Sequence, residues 1–269
     1  MHLIDTHAHL DYPDFDPDRQ EMMRRAADCG VKEIITIGTR LPACEKGVAM
    51  AQSDPAIWAT VGIHPCDAHT APPDFLSHIR RLAQSRRVVA LGEIGLDYHH
   101  LPGKKLTPPD GELDLHHKQR QAAVFREQLS LAAELKLNVV IHQRDSWDDT
   151  LAILDEFSGK VRGVFHCFGG SPEQACAVIE RGHLVSFTGI VTFKNAQEVQ
   201  HTAAAVPAGS FMVETDCPYL APAPHRGKRC EPSHTRLVAE KIAELRGLPV
   251  EKIADETTAT AQQFFNFAR

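Results

Sequence analysis

Residues 88–97 read Val88-Val89-Ala90-Leu91-Gly92-Glu93-Ile94-Gly95-Leu96-Asp97. The run Val88–Ile94 is Val/Ile-rich, apolar on both faces and too short for a membrane span, and it carries an acid, Glu93, near its C-terminal end. A strand of that kind is buried on both sides, as in a parallel sheet covered by helices. Similar runs recur on either side of it at Leu3–Ile4, Glu33–Ile37, Ile57–Ile63, Asn138–Ile141, Val161–Phe165, His183–Phe187 and Ser210–Val213, eight in all. Amphipathic stretches rich in helix formers alternate with them: Pro17–Cys29, Leu41–Ser53, Asp74–Ser85, His116–Leu135, Ser146–Phe157, Pro172–Arg181, Asn195–Val206 and Pro232–Arg246. A further helix is expected near Glu251–Phe265. Eight strand-then-helix units predict an α/β chain closed as a (β/α)8 TIM barrel, in one domain spanning residues 1–269. A doubly wound open sheet is the structural alternative.

Local signals agree with this reading. Pro17 and Pro172 suit first helical turns, Ser171 can cap before Pro172, and Gly30 and Gly182 suit helix ends that need a positive φ. The longest irregular stretch, Asp97 to Leu115, carries Pro102, Gly103, Pro108, Pro109 and Gly111, and is expected to be a functional lid or a mobile loop.

The 269 residues are 43% apolar and 24% charged, which is ordinary for a globular enzyme. With 29 Lys and Arg against 35 Asp and Glu, the net charge of -6 excludes a wholly basic surface that coats nucleic acid, so any such binding must be local. The seven cysteines, Cys29, Cys44, Cys66, Cys167, Cys176, Cys217 and Cys230, are scattered without a C-x-x-C pair, which argues against a disulfide framework and a thiolate zinc site. No apolar run approaches the roughly 20 residues of a span, and the N-terminus has no signal-peptide pattern. A cytoplasmic chain with no membrane association is expected.

The first run leads into Asp5-Thr6-His7-Ala8-His9, where strand alternation points His7 and His9 to one face. Groups able to ligate metal recur at the C-terminal ends of later strands: His64, Glu93, His142, His166 and Asp216. Active sites of (β/α)8 enzymes occupy that end, and repeated polar groups there are costly unless paired or coordinated. Imidazoles and carboxylates without thiolate suit Zn²⁺, Mn²⁺ or similar divalent ions, and Glu93 is placed to bridge two of them. Such a site polarises an ester or phosphoryl oxygen and activates water, and Asp216 can take the proton. Alternation aims Cys167 and Cys217 away from the ions, and Pro65 separates Cys66 from His64, so all three are expected to be bystanders. His99, His100, His116 and His117, in or beside the long loop, are expected to be solvated. Arg226, Lys228 and Arg229 follow the eighth run and concentrate basic charge where phosphate can be held.

Taken in order, Asp5-Thr6-His7-Ala8-His9, Gly62-Ile63-His64-Pro65, Gly92-Glu93-Ile94-Gly95-Leu96-Asp97-Tyr98, Ile141-His142-Gln143-Arg144-Asp145, Phe165-His166-Cys167-Phe168, Val191-Thr192-Phe193-Lys194-Asn195 and Glu214-Thr215-Asp216-Cys217-Pro218-Tyr219-Leu220 closely resemble the TatD family of metal-dependent deoxyribonucleases. The resemblance covers nearly the whole chain. It implies a barrel of the amidohydrolase type in which His7, His9, Glu93 and Asp216 hold one cation and Glu93, His142 and His166 a second, with His64 on the substrate side. It also implies DNA as substrate, cleaved in some family members from a 3′ end. Gly169-Gly170 replaces the family's usual Ser-Gly, Cys230 stands where Asn is common, and Thr260 occupies a frequent Asn position; these bear on substrate orientation and not on the proposed ligands. Two other readings stand beside the nuclease: hydrolysis of a small ester, amide or lactone on the same barrel, and a metal-stabilised binding protein without turnover. No obligate protein partner is evident.

Overall fold

The computed structural model describes residues 1–267. Along the chain run β1 (Leu3–Ala8), α1 (Arg19–Asp28), β2 (Val31–Thr36), α2 (Leu41–Ser53), β3 (Ile57–Val61), α3 (Phe75–Leu82), β4 (Val88–Asp97), α4 (Gly111–Leu135) and β5 (Asn138–Arg144). Next come α5 (Trp147–Asp155), β6 (Gly163–Phe165), α6 (Pro172–Glu180), β7 (Leu184–Phe187), α7 (Gln197–Ala205), β8 (Phe211–Val213), α8 (Thr235–Arg246) and α9 (Val250–Phe265). The eight strands pair in parallel in sequence order. The two edges meet just beyond the ladder, where the Asp216 amide donates to the His7 carbonyl at 2.8 Å and the His9 amide to the Cys217 carbonyl at 2.9 Å. Buried Asp5 ties the same seam, accepting from the Thr215 amide at 3.0 Å and the Thr215 hydroxyl at 2.7 Å. The barrel therefore closes at its C-terminal end, and the open-sheet alternative does not hold.

Each strand supplies a side chain to one interior cluster: Ile4, Ile35, Trp58, Val89, Val140, Val164, Leu184 and Met212. Ala261, Phe264 and Phe265 of α9 pack into the same cluster, so this last helix fills the end of the barrel remote from the strand C-termini. The other core lies between strands and outer helices, where Phe75, Phe125, Ile242 and Ile253 are fully buried. No helix among the described residues is long and apolar enough to cross a membrane.

Two register shifts position polar side chains at the barrel mouth. From Leu91 to Ile94 β4 advances three residues while β5 advances two, from Val139 to Ile141. The same irregularity lies between Asp5 and Ala8 of β1. A bulge re-aims the side chain it carries, and these two carry Glu93 and His7. Just past the first, Gly95 has φ +141°, and a Cβ there would lie 2.0 Å from the His142 carbonyl oxygen, so only glycine lets β4 run this close to β5.

Several boundaries differ from the sequence expectation. The helix expected from His116 starts at Gly111, because the Asp110 carboxylate caps it by accepting from the Leu113 amide at 2.9 Å and Glu112 and Asp114 fill its acidic first turn. The irregular stretch is shorter to that extent, and His116 and His117 lie on the helix, as the expected start at His116 already had them. Pro17 stands outside α1, since Asp18 takes the N-cap position. The segment expected to begin a helix at Pro232 opens with a 3-10 turn, Pro232–His234, before α8. Ser171 and Gln174 form the capping box of α6 with Pro172 in its first turn, and Gly30 and Gly182 have φ of +92° and +84°, as expected.

Candidate metal centre

Glu93 is the hub. Its carboxylate is 4% exposed, with its two oxygens turned to different partners. Oε2 lies 3.6 Å from His7 Nε2. Oε1 lies 2.8 Å from His142 Nδ1 and 2.7 Å from His166 Nε2. On the His7 side, Asp216 Oδ1 is 3.6 Å from His7 Nε2 and 3.2 Å from His9 Nε2. His64 Nε2 is 3.6 Å from Glu93 Oε1, while its Nδ1 accepts from the Cys66 amide at 3.1 Å. The structure thus gathers all seven residues that the sequence placed at strand ends.

These side chains reach one spot for local reasons. His7 and Glu93 sit at the bulges, and His142 follows in register beside Gly95. His166 follows the short β6, and Asp216 lies past β8 at φ +59°, a left-handed conformation unusual for a non-glycine residue.

Burial alone would raise the Glu93 carboxyl, yet the imidazoles of His166, His64 and His142 hold it well below the usual range. Asp216 is likewise lowered by His9 and His7 against burial. Burial opposes charging His142, but Asp97 and Glu93 raise it to about 9. His64 is lowered to about 3, chiefly by burial, and is neutral.

The donors fit a divalent cation. His7 Nδ1 and Nε2, His9 Nδ1 and His166 Nδ1 are buried without hydrogen-bond partners, a costly state that coordination of these rings would relieve. The 3.6 Å separations of His7 from Glu93 and from Asp216 are too long for good hydrogen bonds, and with the 3.2 Å between His9 and Asp216 they match ligand atoms around an ion with bonds of about 2.0–2.2 Å. His7, His9 and Glu93 can form one ligand group, His64, Glu93 and His142 another.

Sequence reasoning passed over three acids here. Asp97, 1% exposed, holds His142 from behind, its Oδ2 lying 3.1 Å from His142 Nε2. This contact leaves His142 Nδ1 to face Glu93. Glu214 accepts from the Cys167 amide at 2.6 Å and the Ser186 hydroxyl at 2.7 Å, and lies 3.8 Å from His166 Nδ1. Asp5 closes the barrel seam, and burial pushes its carboxyl up to about 7. Alternation held the signal: Asp5, Glu214 and Asp97 stand two or four residues from His7, Asp216 and Glu93.

The centre opens on a cavity of about 1330 Å³ walled by residues of many of the loops that follow the strands. Cys167 lines it, contrary to expectation: the chain leaves β6 at Phe165, and at φ +49° alternation no longer governs Cys167. Burial, reinforced by Asp216 and Glu214, pushes its thiol far up. Cys66 also lines the cavity, since the turn after Pro65 folds it back toward Asp97. Cys217 is buried as expected. His100 and His117 line the cavity, His100 while still exposed, and exposed His99 pairs at 3.1 Å with Asp145, itself on the cavity wall. The basic loop lies elsewhere. Arg229 is held by Asp18 through contacts of 2.7 and 2.8 Å, Arg226 stacks 3.6 Å above the Phe193 ring, and Lys228 is exposed. Arg226, Lys228 and Arg229 are absent from the cavity wall among the described residues. Arg229 is therefore committed to a structural ion pair, invisible to local pattern because Asp18 is 211 residues away.

Of the three departures, Gly169 borders the cavity, where a Cβ would meet nothing within 4 Å. Cys230 is buried with its thiol 3.5 Å from His234 Nδ1, and the Thr260 hydroxyl donates to the Glu256 carbonyl.

Known proteins resemble this chain over nearly its whole length. The family described as TatD related DNase matches residues 4–266. An uncharacterized metal-dependent hydrolase of Bacillus subtilis, YabD, is 39% identical, with 98% of each chain covered. A protein of Cronobacter sakazakii named 3′-5′ ssDNA/RNA exonuclease TatD is 34% identical over 98% of this chain and 97% of its own. Among solved structures, the TatD homologue YjjV of Escherichia coli superposes with a TM-score of 0.87 at 29% identity, with 98% of each chain covered.

Proposed function

From its membership of the TatD family of metal-dependent hydrolases, to which this chain belongs, we propose that it is a deoxyribonuclease of one barrel domain that cleaves DNA phosphodiesters, from the 3′ end. The observation that carries the reading is the division of Glu93, one oxygen toward His7 and the other toward His142 and His166. That division supports two divalent cations: His7, His9, Glu93 and Asp216 would hold one, and Glu93, His142 and His166 the other. Bound there, the ions supply Lewis acidity to the phosphoryl oxygen and acidify a water.

The chain's own residues do the rest. Asp216, kept ionised by His9 and His7, accepts the proton from the attacking water. Neutral His64, beside Glu93 on the cavity side, offers its Nε2 proton to a phosphate oxygen. Exposed Arg226 and Lys228 meet the more distant phosphates, while Arg229 is excluded by its pairing with Asp18. The relative named as a single-strand exonuclease supports the substrate class. One observation favours the second reading, a small ester, amide or lactone: the basic loop does not wall the cavity among the described residues.

The test is a metal-stripped preparation, verified by elemental analysis and reloaded with Zn²⁺, Mn²⁺ or Mg²⁺, given 3′- and 5′-labelled single- and double-stranded DNA beside neutral esters. DNA cleavage that needs the returned ion and shortens the 3′ end is expected. Turnover of neutral esters with none on DNA would transfer the site to the small-substrate reading. Undiminished turnover of the stripped protein would remove the metal from it.

A further inference from the structure

A second cluster of ligating side chains lies on the cavity wall beside the Glu93 group. Cys66 comes from the helical turn Pro65–Asp67 after β3, Asp97 ends β4, and His100 belongs to the loop beyond. The thiol sulfur, a carboxylate oxygen and a ring nitrogen lie within 4.8 Å of one another. All three residues line the cavity.

Asp97 is the fixed member. Its Oδ1 accepts from the amides of His99 and His100 at 2.9 and 2.8 Å. Its own backbone is clamped by Gln121, which accepts from the Asp97 amide at 2.9 Å and donates to the Asp97 carbonyl at 3.0 Å. Its Oδ2 is thereby aimed at His100 Nδ1, 2.8 Å away, as well as at His142 Nε2.

We propose that Cys66, Asp97 and His100 form a further divalent-cation site, distinct from the Glu93 cluster, suited to Zn²⁺ or another ion that accepts sulfur, nitrogen and oxygen together. Three protein ligands with the remaining side open to a cavity is an arrangement in which zinc keeps an exchangeable position. Thiolate and carboxylate supply two negative charges, matching the ion, and the mixed donor set disfavours Mg²⁺, which takes oxygen. Without a cation, His100 Nδ1 and His142 Nε2 both turn to the one oxygen Asp97 Oδ2, with the Cys66 thiol beside them. Binding breaks the Cys66 Sγ–H bond and sends that proton to solvent, while the His100 proton shared with Asp97 leaves Nδ1 and is replaced from solvent on Nε2, which frees Nδ1 for the ion. The inference is independent of the substrate, because it needs neither nuclease turnover nor occupancy of the Glu93 cluster.

Cobalt separates the two places, since the Glu93 cluster contains no thiol. Co²⁺ titrated into the metal-stripped protein, with circular dichroism confirming the fold, should produce a near-ultraviolet thiolate-to-cobalt charge-transfer band. Cys66→Ser should abolish the band and remove one equivalent of bound Co²⁺. His100→Ala, at an exposed position, should raise the Co²⁺ needed for half the band by at least about tenfold. Cys167→Ser, which changes the other cavity thiol near the centre, should leave the band intact. Saturation of the wild type without a charge-transfer band, or a band lost in Cys167→Ser and kept in Cys66→Ser, would overturn the proposal.

Discussion

Glu93 carries one negative charge between four imidazoles, and both of its oxygens are committed. Replacing one oxygen by an amide nitrogen leaves the volume unchanged and removes the charge, so Glu93→Gln weakens attraction at both flanks. The expected result is at least about a tenfold loss in affinity for each of two ions, read by calorimetric titration and elemental analysis. Two equivalents held with wild-type affinity would refute the shared-ligand role. Glu93 was legible from sequence because it is an acid inside an apolar strand. Asp97 was not singled out, because an acid at a strand end is also where a turn begins, and only its 3.1 Å approach to His142 separates the two roles.

Pairing between strands is sensitive to one buried histidine. His183, just before β7, is 5% exposed, and its Nδ1 accepts from the Gly163 amide of β6 at 3.0 Å. That bond needs a neutral ring, and burial lowers His183 to about 4 from an ordinary 6.5. The unfolded chain therefore binds this proton more readily, so the stabilisation is complete above about pH 6.5 and is lost as pH falls from there toward 4. The size of the effect is on the order of 3 kcal/mol. Urea unfolding from pH 7 to 4 should show this decline, and His183→Gln, whose carboxamide oxygen can accept the same bond, should flatten it. Equal slopes for the two proteins would exclude His183 as its source. At the same scale, capping chemistry was readable at Ser171 and missed at Asp110, where Pro108, Pro109 and Gly111 suggested a loop. One carboxylate on the Leu113 amide outweighed them.

For the whole molecule, function and stability occupy opposite ends of the barrel. The strand C-termini gather unpartnered polar groups around a cavity, while Phe264 and Phe265 of α9 seal the other end with apolar packing. Phe264→Ala removes a ring that is 2% exposed and should cost about 3–5 kcal/mol. The urea midpoint should fall while metal affinity in the folded protein stays within about twofold, because the ring packs among the interior side chains at the end of the barrel remote from the strand C-termini. A parallel collapse of metal affinity in the folded variant would show instead that the plug also sets the geometry of the mouth.

By itself, the order of apolar runs and amphipathic stretches determined eight strand-and-helix units, with closure against an open sheet left to the tertiary structure, and the acids and histidines at strand ends marked seven residues of the centre. Both are local: the period of side-chain exposure and the position of a polar group at the end of a run are written in neighbouring residues. Only the tertiary structure decided how Glu93 divides its oxygens, since two one-residue register shifts, set by strand pairing across the chain, aim Glu93 and His7. It alone withdrew Arg229 to Asp18 and brought Cys66, Asp97 and His100 onto one wall. Charge, size and periodicity belong to residues one at a time, whereas coordination and ion pairing depend on distances between groups that the closed barrel brings together.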